Sequence, residues 1–235
     1  MSLTKDALLQ QYPFKIELHA HTSPASGCSD VEPEKVVQFY KALGYDCIVL
    51  TNHFLYEKDT QAAVTRQMTD YLCACEAGEQ CGLKVLLGAE IRFAENSNDY
   101  LLFGVNEEIL SLVFDHLDKD LAAFRQKLPL ADSLLIQAHP FRSHCQIMDS
   151  SLLNGVEIFN MHPHHNSNNH LAQEFYAQNP NLIPTAGSDY HHDKPGHCGT
   201  TALRSAILPK DSFELVEILK SRDYLLQIYN DIYIP

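Results

Sequence analysis

The sequence predicts an α/β fold on a parallel sheet, open or closed into a barrel. Short apolar runs recur along the 235 residues, and helical patterns lie between them. Polar side chains collect where the apolar runs end. Strands that alternate with helices build a sheet covered on both faces, and in such folds the C-terminal strand ends carry the site.

Strands are expected near 14–19, 46–51, 84–91, 99–105, 133–138, 155–160, 182–187 and 202–208. After the first, "VEPEKVVQFYKALGY" places Pro33 near a helix start and Val36, Tyr40 and Leu43 on one face, and Gly44 stops it. A second helix is expected around 60–78. A third is expected over 107–128, where Leu110, Val113, Phe114, Leu117, Leu121 and Phe124 form one stripe. The segment after Ser167 and the stretch "DSFELVEILKSRDY" read as helical too. No repeat, low-complexity tract or linker interrupts the pattern, so residues 1–235 are expected to form one domain.

Composition narrows the function. No run of eighteen apolar residues is present, so no membrane span is expected. The opening "MSLTKDALLQQYPF" lacks a basic start followed by an apolar run, which argues against a secretory leader and for a cytoplasmic location. A formal charge of −13 repels polyanions and disfavours nucleic-acid polymers and anionic membranes. A small phosphorylated partner stays compatible, because bound cations would reverse the local field. The seven cysteines are odd in number, and Cys73, Cys75 and Cys81 lack CxxC spacing, so they read as idle thiols in a reducing compartment. Oligomeric state is not legible.

The thirteen histidines cluster instead of scattering. In "FKIELHAHTSP", His19 and His21 are two apart on a strand and therefore share a face. "CIVLTNH" ends in His53, "KVLLGAEIRF" carries Glu90, and "LLIQAHPFR" delivers His139 and Arg142. "GVEIFNMH" ends in Asn160 and His162, and "LIPTAGSDYHH" delivers Asp189 and His191. Six strand ends thus bring metal-compatible groups to one rim.

With "HAHT" at 19–22, "TNH" at 51–53, "GAE" at 88–90, "HP" at 139–140 and "GSDYH" at 187–191, the chain resembles the PHP family of metal-dependent phosphoesterases, named for polymerases and histidinol phosphatases. The resemblance implies a distorted (β/α)7 TIM-like barrel with two or three divalent ions at its mouth. It implies that His19, His21, Glu90 and Asp189 bind one ion, that Glu90 bridges to a second with His139, and that His53 and His191 serve a third. Three positions depart from the family pattern. "AENSNDYLLFG" offers Asp99 and Tyr100 where another histidine is common, so the second ion is expected to be loosely held. After HAHT, "SPASGCSD" offers Asp30 as a ligand, with Cys28 as the alternative, and Asn52 replaces a frequent aspartate.

Mixed imidazole and carboxylate donors suit zinc, manganese or iron better than magnesium. Ions about 3.5–4 Å apart lower the pKa of a bridging water and clamp an in-line phosphoryl displacement, so a metal-bound hydroxide would attack and no serine or cysteine nucleophile is required. Arg142 reads either as a bidentate grip on phosphate or as a surface ion pair. His162 is open to a substrate role, whereas His164 and His165 read as a solvated loop. His192 and His197 fall at the edge, His116 on a surface helix, and His144 stays unassigned. The expected activity is hydrolysis of a small phosphorylated molecule. The alternatives are an amidohydrolase-type C–N hydrolase and a non-catalytic, metal-binding regulatory domain.

Overall fold

The structure, a computed structural model, describes residues 4–128, 131–193 and 201–235. Its strands are β1 (Phe14–Ala20), β2 (Cys47–Leu50), β3 (His53–Phe54), β4 (Lys84–Leu87), β5 (Ala89–Arg92), β6 (Asp99–Phe103), β7 (Leu134–Gln137), β8 (Gly155–Asn160), β9 (Ile183–Gly187), β10 (Thr201–Ser205), β11 (Leu225–Ile228) and β12 (Asp231–Tyr233). The helices are α1 (Lys5–Gln11), α2 (Pro33–Ala42), α3 (Thr60–Cys81), α4 (Glu107–Phe114), α5 (Leu121–Lys127), α6 (Asn169–Gln178) and α7 (Ser212–Ser221).

The expected distorted (β/α)7 TIM-like barrel is corrected: among the described residues the strands form no closed barrel but two six-stranded sheets, β12-β11-β10-β1-β2-β4 and β3-β5-β6-β7-β8-β9. Two local features keep the ladder from closing. The expected strand 84–91 breaks at Gly88, so its first part pairs with β2 and its second with β3 and β6. A Cβ at Gly88 would sit 2.9 Å from Val49 Cγ1, so only glycine fits where the sheets part. At the opposite seam β1 forms no ladder with β9 and meets the segment just after it through an isolated bridge, Ala20 with Tyr190.

The sheets are also mixed rather than wholly parallel. Strand β6 runs antiparallel to both β5 and β7, and β10 runs antiparallel to β1. The start of β6 therefore lies at the same edge as the ends of its neighbours, which brings Asp99 to the mouth.

Most helices form where periodicity placed them, with three corrections. The 107–128 stripe is buried as expected, but the helix is split into α4 and α5. The "DHLDKD" stretch favours a break, because Asp120 accepts from Ala123 N and starts a new helix. In α2 the buried face is Val36, Val37 and Tyr40, and Leu43 is exposed beyond the helix end, just before Gly44 at φ 72°. After α7 the chain forms the β11–β12 hairpin, which had no expected counterpart.

Ile16, Leu18, Val49, Leu101, Phe103, Ile136, Val156 and Leu203 from both sheets pack with Phe114, Phe124 and Leu215 from the helices in one apolar core. Each such fully buried side chain contributes about 1.5–3 kcal/mol. That closure fixes the strand ends above it. Among the described residues, no helix is long and apolar enough to cross a membrane.

Candidate metal centre

The site starts from the two-residue period of β1. Glu17, His19 and His21 share one face, with Glu17 deepest, and all three are buried. Asp189 N donates to His19 O at 2.9 Å, and His21 N to Tyr190 O at 2.9 Å, so the GSD turn is fastened to β1. Gly187 permits this approach: a Cβ there would stand 2.3 Å from His19 Cβ and 2.8 Å from Glu157 Oε1. Parallel pairing of β3 with β5 sets His53 opposite Glu90. His139 and Asp189 adopt positive φ, 29° and 54°, which is costly for residues with a Cβ and concentrates at functional sites.

The donor atoms then converge. His19 Nε2 lies 3.1 Å from His21 Nε2, 3.3 Å from Glu90 Oε1 and 3.4 Å from Asp189 Oδ1. His21 Nε2 lies 3.4 Å from Glu90 Oε2 and 3.3 Å from Asp189 Oδ1. A tetrahedron with metal–nitrogen bonds of about 2.05 Å has edges of about 3.3 Å, so these donors fit around one ion. Glu90 faces two ways: Oε1 also lies 3.2 Å from His139 Nε2, and Oε2 lies 2.9 Å from His53 Nδ1. His53 Nδ1 and Glu90 Oε2 are buried and face each other as an ion pair at 2.9 Å, but out of hydrogen-bond alignment. Two donors aimed past each other at this spacing fit a shared cation between them. Among the described residues, three overlapping groups could hold an ion: His19, His21 and Glu90; His21, His53 and His191; His53, Glu90 and Asp99.

A second ring of partners aims these donors. His19 Nδ1 is 2.9 Å from Glu157 Oε1, which leaves Nε2 to the cluster. Glu157 Oε2 also accepts from His139 N and Asn160 Nδ2, each at 2.9 Å. His21 Nδ1 is 3.1 Å from Ser26 Oγ, and Ser26 in turn donates to Asn52 Oδ1 at 2.9 Å. Asn52 also binds Thr22 N and Thr22 Oγ1, so it braces the HAHT turn from outside the donor set. His191 Nδ1 lies 2.9 Å from Asp189 O.

Charge follows from this packing. Burial opposes ionisation of Glu90, but His53, His19 and His139 around it hold the carboxylate well below its ordinary range. Burial likewise opposes ionisation of Asp189, and His19, His21, Arg142 and His191 bring it well below the usual range. His21 is held well below the usual imidazole range by burial and by neighbouring His191, so its nitrogen is a free donor at neutral pH. Glu17, sealed beneath the ring, is pushed up to about 7 by burial.

The sequence-derived residues are placed as follows. His19, His21, His53, Glu90, His139, Asp189 and His191 come together at one mouth. Asp30 does not join them: its side chain is exposed and pairs with His192 Nδ1 at 3.1 Å. Cys28, the alternative from the same stretch, lines the cavity. Burial raises its thiol, but hydrogen bonding to His191 and His53 brings it down to about 6. Arg142 is buried and meets Asp189 Oδ2 at 2.5 Å, Asn160 Oδ1 at 2.8 Å and Ser167 Oγ at 3.2 Å, so it is no surface ion pair. His162 lies over the mouth with its ring centroid 5.1 Å from that of His191, and burial lowers it to about 3.

His144, His164, His165 and His192 line the same cavity of about 310 Å³. His116 is elsewhere, with Nδ1 3.0 Å from Leu112 O, and His197 lies outside the described residues. Sequence reasoning missed Glu157 and Glu17. Both are carboxylates inside apolar strands, and Glu17 keeps period with His19 and His21, which was the available signal.

Fold and site together define an α/β protein whose strand ends form a cluster that could hold more than one metal ion. A PHP domain model matches residues 17–191, most of the chain, and the chain belongs to the PHP domain family. No curated protein matches it in sequence. Its fold is similar to a two-domain protein from Bacteroides vulgatus described as containing a predicted PHP-like metal-dependent phosphoesterase. There the TM-score is 0.68 at 16% identity over 93% of this chain, and the chain spans 66% of that protein, under two thirds of its length. An amidohydrolase from Chromobacterium violaceum, solved with bound sulfate and no metal, is similar with TM-score 0.52 and 14% identity over 87% of this chain and 96% of that one.

Proposed function

We propose that the chain is a metal-dependent phosphoesterase that hydrolyses a small phosphorylated molecule. The observation that carries this reading is the set of buried donors at tetrahedral spacing around Glu90, open to a cavity lined by arginine and imidazole groups. Bound divalent ions supply Lewis acidity and activate water for attack on a phosphoryl group. His19, His21, Glu90 and Asp189 would hold one ion, and Glu90, with an oxygen toward each side, would link it to the donors His53 and His139.

The remaining residues orient and contact. Arg142 holds Asp189 Oδ2 and leaves Oδ1 for the cluster, so its part is to position the ligand and not to clamp phosphate. His162 Nδ1 accepts from His164 N at 3.2 Å, which leaves a neutral ring with its proton on Nε2, ready to donate to a substrate oxygen. GSDYH and the early bridging glutamate favour phosphoester over amide chemistry.

The test is hydrolysis of an aryl phosphate by protein carrying zinc, manganese or iron, before and after chelation, beside Asp189→Asn. The variant keeps a partner for buried Arg142, so the fold should hold. Turnover should vanish on chelation and fall in Asp189→Asn by more than about 100-fold, the upper range for losing an outer partner of a ligand. Undiminished turnover in the variant would refute the assignment. Cleavage of amides in place of phosphoesters would move it to the amidohydrolase class.

A further inference from the structure

Asp99 starts β6 on the antiparallel strand, and its side chain is almost fully buried. One of its oxygens lies within 4.8 Å of a ligand atom on each of His53 and Glu90, and Oδ2 lies 3.9 Å from His139 Nε2. It reaches the place where the resemblance anticipated a histidine. Both oxygens are nevertheless engaged: Arg92, paired with it in register across β5 and β6, donates from Nε to Oδ1 and from a terminal nitrogen to Oδ2, each at 2.8 Å. That arginine is more than a third exposed and lines the cavity, so it has room to turn out toward water.

We propose that Asp99 is a ligand of the second ion, shared with Glu90 and His53, and that Arg92 is the counter-ion it surrenders when that ion binds. The inference rests on the metal-centre reading above but not on phosphoesterase activity. A guanidinium fork engaged on both oxygens competes with a divalent cation for their lone pairs and repels its charge, so at least the Arg92 bond to Oδ2 gives way when the ion binds. The arginine therefore keeps two neighbouring carboxylates from repelling each other while the site is empty, and it weakens the site in proportion.

The experiment is manganese binding to chelator-stripped protein, read as free Mn²⁺ by electron paramagnetic resonance, on four forms: unmodified, Arg92→Met, Asp99→Asn and the double variant. Near-ultraviolet circular dichroism checks that each is folded. The unmodified chain should show one tight and one weak class. Arg92→Met should tighten the weak class about tenfold and leave the tight class alone, and Asp99→Asn should weaken it at least tenfold.

Removing a positive charge could also tighten any nearby cation site, so the double variant decides. If Asp99 is the ligand, Arg92→Met gives no tightening in the Asp99→Asn background. Equal tightening in both backgrounds, or a weak class that Asp99→Asn leaves intact, would overturn the proposal while the first site stands. No manganese bound to the unmodified chain would overturn the metal centre and this inference with it.

Discussion

On the β1–β9 side of the mouth, each donor has a buried partner behind it: Glu157 for His19, Ser26 for His21, Arg142 and Asn160 for Asp189. On the β3–β5–β6 side, His53 Nδ1 and Glu90 Oε2 face each other at 2.9 Å out of hydrogen-bond alignment, and Asp99 is tied to Arg92. The same donor chemistry is thus held ready on one side and left to be assembled on the other. Binding costs least where the ligands are already aimed, so the two sides should differ in affinity for one metal.

The largest expected effect of breaking this difference comes from Glu157→Ala. It frees the His19 ring and removes acceptors for His139 N and Asn160 Nδ2, so first-site affinity should fall roughly 10–100-fold. Competition against a chromophoric zinc chelator measures it. A change confined to the weaker class would invert the comparison.

A smaller effect sharpens it by separating support of the fold from aiming of ligands. Glu17 accepts from His19 N and Ser188 N beneath the ring, and burial raises it from 4.5 to about 7. A carboxyl that binds its proton more tightly when folded contributes stability below its unfolded pKa and loses it as pH rises toward the folded value. Metal-stripped protein should therefore lose on the order of 2 kcal/mol through this group between about pH 5 and 6.5. Glu17→Gln, which keeps an acceptor oxygen, should remove that share of the slope in urea unfolding. Parallel slopes in the two proteins would show that Glu17 does not titrate in this range.

These contrasts bear on what could be read from sequence. The first side was legible because its donors obey local rules: a two-residue period for His19 and His21, and delivery at a strand end for Asp189. On the second side His53, Glu90 and His139 were legible by the same strand-end rule, but Asp99 as a ligand was not, because it arrives at the start of a strand whose reversed direction depends on pairing with β5 and β7. Strand direction is a property of partners, and no local pattern in "NDYLLF" states it. Glu157 was hidden for a related reason, since its value lies in reaching His19 across the β8–β9–β1 seam. One of the two places where the sheet fails to close is Gly88, whose close approach to Val49 is visible only in three dimensions. Asp30 and Cys28 are two residues apart in one loop, and only the fold of that loop brings Cys28 to the cavity while Asp30 turns outward.

Calorimetric titration of zinc into chelator-stripped protein tests the central claim most directly. Two resolved classes are predicted, the tighter holding one ion per chain and drawing on the β1–β9 donors. A single class of equivalent sites would contradict the asymmetry between the two sides, and an absence of binding would contradict the metal centre itself.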